Sequence, residues 1–187
     1  MENYFLFILM CIFFAILPGP DIAITTKNTI TGGKTGGLKT VFGICSALLI
    51  HTTVAVLGLS AIIVSSTLLF SAITYLGAIY LIYLGIKTLW SLKKKNETAR
   101  NEDATTVDMN SQGNFSNPSS FKQGFLTNIL NPKVIILFLT FFPQFLKSEN
   151  NTFFPFLTMG LSYTTVTAIW CILYVYLLNQ LSTFMRK

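Results

Sequence analysis

Five long apolar runs, separated by short polar segments, make up most of this 187-residue chain. Uncharged runs of about 17 to 25 residues are what a helix needs to cross a bilayer. They place spans at roughly 3–24, 38–64, 68–90, 121–146 and 153–178. The predicted architecture is an all-α membrane protein of five transmembrane helices. Two of the runs are broken. The first carries Leu17-Pro18-Gly19-Pro20-Asp21, and the fourth, FKQGFLTNILNPKVIILFLTFFPQFL, carries Asn131-Pro132-Lys133 at its middle. In lipid, an interrupted helix survives only where the freed backbone groups are buried in protein or face a water-filled cavity. Secondary transporters build midplane substrate sites from such helices.

Composition agrees with this pattern: 52% of residues are hydrophobic and 11% charged, against about 25% charged in soluble domains. Glu2 is the only charge before Asp21, so the first run lacks the basic start of a secretory signal and reads as a retained span. The net charge of +6 comes from lysines in the connectors, Lys27, Lys34 and Lys39, then Lys93, Lys94, Lys95 and Arg100. That is the positive-inside distribution of cytoplasmic loops, and nucleic acid is set aside as a partner. The polar stretch 91–121 then lies in the cytoplasm. The connector 31–37, rich in Gly and Lys, reads as a flexible turn on the same side, with the N-terminus outside. If the first segment dips in and returns, the N-terminus moves to the cytoplasmic side.

Each half opens on an apolar segment broken by a proline and a charge, Pro20-Asp21 and Pro132-Lys133. The halves are therefore 1–90, a three-span repeat, and 122–187, with 91–121 as the loop between them. Three-span halves joined by a cytoplasmic loop give the inverted topology of many transporters. The second half is short by one helix on this comparison.

Ionisable groups inside apolar spans are costly, so Asp21, His51 and Lys133 are candidate functional residues. Pro18, Gly19 and Pro20 form the first break and Pro132 the second, and each proline after a break favours the start of a new half-helix. Asp21 suits the positive end of such a helix, whereas Lys133 does not and needs a compensating group. Either Asp21 pairs with Lys133 and holds the halves together, or the two charges face the ammonium and carboxylate of a substrate. Asn128 and Asn131 flank the second break and could cap the half-helix or bind a substrate amine. His51 is either a proton relay or a neutral helix-packing histidine. No spacing of His, Cys and acids fits a metal site, and Cys11, Cys45 and Cys171 read as buried small hydrophobes. Gly58, Ala61, Gly77, Ala78 and Gly85 read as small residues for close helix packing. With a lone histidine and no nucleophile motif, the chain is not expected to be an enzyme.

The chain resembles the LysE/RhtB-type amino-acid exporters. The resemblance rests on LPGPD at Leu17 to Asp21, FGICSALLIHTTVAVLGLSA in the second span, YLGAIYLIYLG at Tyr75 to Gly85 and, above all, GFLTNILNPKVIILFLTFFPQF at Gly124 to Phe145. It implies an inner-membrane exporter of amino acids with about six helices in a 3+3 inverted repeat. Such an exporter would be driven by the proton gradient, with no bound cofactor. Ala47 stands where the family often has glycine, and the family's final Gly-containing span is not found after Arg186-Lys187. A homodimer would cover the surface that a shortened half exposes. The reading is efflux of small amino acids by alternating access; the alternative is a truncated, transport-inactive membrane protein acting as partner or scaffold.

Overall fold

The computed structural model describes residues 3–65, 75, 79, 82, 83, 119–146 and 153–185. Every described element is helical: α1 (Tyr4–Ile16), α2 (Pro20–Ser65), α3 (Ser120–Ile129), α4 (Pro132–Ile136) and α5 (Phe153–Met185). α4 continues through a π turn at Leu137–Phe141 and a 3-10 turn at Phe142–Phe145. Among the described residues, two helices are long and apolar enough to cross a membrane, three if α3 and α4, bent by 47°, count as one broken span. At 13 residues, α1 rises only about 20 Å. It is apolar but too short to cross alone. The third predicted span falls almost entirely outside the described residues, as do the loop up to residue 118 and the turn 147–152. The five-span count and the 3+3 repeat therefore extend past what is described.

The connector 31–37 turns the chain, and it does so at one residue. Helical backbone flanks Gly33 on both sides, and Gly33 alone leaves helical dihedrals, with φ 62 and ψ −163, a conformation open to glycine and costly for other residues. Threonine hydroxyls bond back to the main chain before it: Thr25 to Asp21 O at 2.7 Å and Thr29 to Thr25 O at 2.7 Å. The two arms of α2 then fold against each other, with Asn28 Nδ2 donating to Thr40 Oγ1 at 2.8 Å. Gly36 lets them close, since a Cβ there would strike the Asn28 carbonyl oxygen. The predicted boundaries shift elsewhere too. α3 begins inside the predicted loop, at Ser120, with the Ser119 hydroxyl capping Lys122 N at 3.4 Å. α5 runs on from Leu178 to Met185, since nothing in its polar tail breaks a helix.

Glycines also set how α2 meets its neighbours. A Cβ at Gly43 would strike main-chain atoms of Phe121 and Phe125, one at Gly124 the main chain of Thr40, and one at Gly160 the Thr52 side chain. Among the described residues nothing lies within 4 Å of a Cβ at Gly58, expected to be a packing glycine. Gly77, Ala78 and Gly85 lie outside the described residues, as does the side chain of Ala61. The core is aromatic. Phe7 of α1 meets Phe142 at 5.2 Å and Phe145 at 5.3 Å between centroids, and Phe138 meets Phe142 at 4.4 Å. Pro143 has no N–H to return to the helix, and the widened turn before it aims these rings at α1. The Gln144 side chain donates to the Thr140 carbonyl at 2.9 Å.

Candidate functional site

Both breaks form where the prolines require, and they meet. α1 ends at Ile16, Leu17 to Gly19 is non-helical, and Pro20 starts α2 with Asp21 in its first turn. α3 ends at Ile129 and Pro132 starts α4 with Asn131 as its N-cap, the Asn131 Oδ1 accepting from Lys133 N at 3.1 Å. The capping role read from the sequence is borne out, and it is not Asn131's only role. Its Nδ2 donates to Asp21 Oδ2 at 3.2 Å, and Asn128 Nδ2 donates to the same oxygen at 3.1 Å. Asn128 and Asn131 are 1% and 3% exposed. Two buried amides from the second break thus hold the carboxylate of the first.

Lys133 crosses the other way. Its Nζ donates to the main-chain carbonyls of Phe14, at 3.0 Å, and Leu17, at 3.2 Å. These are carbonyls that the end of α1 leaves without an intrahelical partner, at the negative end of that helix. The sequence left two compensating groups for Lys133, Asp21 or a bound carboxylate. The hydrogen bonds show a third, the open end of a broken helix. Asp21 and Lys133 do line one pocket, together with Gly19 and Asn131. Its free volume is about 20 Å³, room for one water-sized group.

α5 supplies the far wall with Tyr163, Thr167 and Cys171, spaced i, i+4 and i+8 on one helix face. None of the three was picked out from the sequence as a site residue. Asp21 Oδ1, Asn128 Oδ1 and Thr167 Oγ1 are buried polar atoms without a hydrogen-bond partner. Each such atom represents a cost on the order of 1–3 kcal/mol unless something binds it.

His51 is not in this pocket. Its Nε2 lies 3.3 Å from the main-chain oxygen of Asn128, and its ring stacks on Phe138 at 5.8 Å between centroids. The ring borders a separate apolar pocket of about 250 Å³ with Val54, Gly58 and Leu139. Asn128 is therefore one residue with two contacts, His51 through its backbone and Asp21 through its side chain. Cys11 and Cys171 are buried, as read from the sequence, and Cys45 is half-buried.

Two broken helices exchanging polar contacts around a buried charged pocket are the arrangement with which discontinuous-helix membrane transporters build their sites. The chain belongs to the LysE type translocator family, whose model matches residues 12–187. It is 32% identical over 187 residues to the membrane protein YrhP of Bacillus subtilis, covering 100% of this chain and 88% of that protein. A membrane protein of Vibrio cholerae is 27% identical over 181 residues, 97% and 83% of the two chains. The leucine efflux protein of Salmonella typhimurium is 31% identical over 144 residues, 77% of this chain and 63% of that protein. No solved structure matches the chain.

Proposed function

We propose that this protein exports amino acids across the cell membrane. The observation that carries the reading is the pocket where the two breaks meet, holding opposite charges whose hydrogen-bonding capacity is incompletely used. Asp21 keeps one carboxylate oxygen without a partner. Lys133 has three N–H donors and gives two to α1. A free amino acid brings an ammonium for the first and a carboxylate for the second. Asn128 and Asn131 fix the carboxylate oxygen that the substrate does not take. The efflux named in the Salmonella relative supports the same substrate class. A pocket of about 20 Å³ does not admit a whole amino acid, so the cycle opens it, in keeping with alternating access.

In this reading the proton gradient supplies the energy and His51, through Asn128, links protonation to Asp21. The protein sits in the inner membrane with 91–121 in the cytoplasm. The test is efflux from cells loaded with amino acid, with and without the chain. Faster efflux that is lost in Asp21→Ala and Lys133→Ala is expected. No efflux of any amino acid, at verified membrane expression, would overturn the proposal in favour of a partner or scaffold role.

A further inference from the structure

The end of α1 is a cation site in its own right. The carbonyls of Phe14 and Leu17 accept from one atom, the helix end is negative, and Asp21, which keeps an unpartnered oxygen, lines the same pocket. Unwound carbonyls and half-helix C-termini are the groups with which discontinuous-helix transporters hold a coupling Na+ or proton. Here the position is taken by a side chain, and the side chain comes from the other break. A cation on the second position of α4 is badly placed for α4 itself. Its placement makes sense only through what it reaches. The Lys133 stem extends to the α1 terminus and brings the ammonium within 3.9 Å of where a Cβ on Gly19 would stand.

We propose that the Lys133 ammonium is a tethered cation filling a monovalent-cation site at the end of α1, built on Phe14 O and Leu17 O, with Asp21 on the wall of the same pocket. It follows that the wild type takes no free cation at this site. Removing the side chain without filling its space opens the site to a small cation from solution. Lys133→Ala leaves that space, whereas Lys133→Met fills it with an uncharged chain of similar length.

The experiment is a melting comparison of the purified full chain in detergent. Wild type, Lys133→Ala and Lys133→Met are titrated with NaCl, KCl or methylammonium chloride, ionic strength held constant with choline chloride. Lys133→Ala is expected to gain about 3 °C or more at a tenfold excess over the dissociation constant of the cation that binds. Wild type and Lys133→Met are expected to stay flat. A Lys133→Ala protein indifferent to all three cations would overturn the inference, as would a wild type that rises equally. If Lys133→Ala cannot be purified, wild-type efflux decides: it should be undiminished with choline in place of Na+, and a loss would refute the tethered-cation role. Only this second arm rests on the export reading. Absence of efflux would count against export and leave the melting comparison to judge the cation site.

Discussion

Replacing Gly124 with alanine tests whether helix packing sets the geometry of the charged pocket. Gly124 lies where α3 crosses the second arm of α2. A Cβ there would overlap the Thr40 main-chain oxygen and stand 2.9 Å from Thr40 Cγ2 and 3.0 Å from the Thr40 carbonyl carbon. Ordinary contact begins at 3.4 Å, and backbone cannot rotate away. α3 must therefore retreat by roughly 1 Å, and overpacking of this kind costs about 1–3 kcal/mol. For a chain of this length that is a fall in melting temperature of about 2–12 °C. Asn128, one turn further along α3, moves with it. Its 3.1 Å bond to Asp21 would stretch beyond hydrogen-bonding range, and misplacement on the order of 1 Å can cost 10²-fold in activity. Lowered melting together with at least about tenfold slower efflux is expected. Gly58→Ala is the matched control, with nothing among the described residues within 4 Å of the new Cβ, and should leave both readings near wild type. Gly124→Ala melting with wild type would refute the packing reasoning. Lowered melting with unchanged efflux would show that Asn128 does not govern the pocket.

His51→Gln keeps a donor for the Asn128 carbonyl but cannot titrate. If His51 carries the proton, efflux by this variant should no longer respond to an imposed pH gradient, and a wild-type response would exclude the relay. Gly33→Ala forces a side chain into a left-handed backbone, at about 1–2 kcal/mol. Its melting temperature should fall by about 2–8 °C, and an unchanged value would mean that the arms of α2 can turn without a positive φ.

The breaks were legible because proline punctuates a helix wherever it stands. Pro20 and Pro132 begin helices as read, and Asn131 caps as read. What compensates Lys133 was not legible. Its partners are main-chain carbonyls, whose availability depends on where α1 stops and not on which residues carry them. The α5 wall was hidden for a related reason. Threonines in a membrane helix mostly bond their own preceding turn, as Thr164 does to Gly160 O and Thr165 to Leu161 O, both at 2.8 Å. Nothing in the sequence marks Thr167 as a threonine of the pocket wall. The turn at 31–37 was legible from its glycines, but not that one residue makes it: all but Gly33 keep helical dihedrals, and Gly36 and Gly37 serve contact. The fold class followed from run length alone, and the exact count of spans did not.

The bond from Lys133 to the end of α1 also bears on how the protein meets the membrane voltage. The covalent neighbour of α1 is α2, but its packing partners are α5 and the aromatic extension of α4. When the pocket opens, Lys133 on α4 and the carbonyl end of α1 can travel as one piece, flexing at Leu17 to Gly19. A lone positive charge displaced across the field would exchange about 2.3 kcal/mol with every 100 mV. Carrying the α1 dipole along does not change this, because the two ends of a helix bear equal and opposite partial charges and cancel when they move together. On the export reading, an opening step that moves Lys133 along the field is therefore sensitive to voltage, and one that moves Asp21 with it is not.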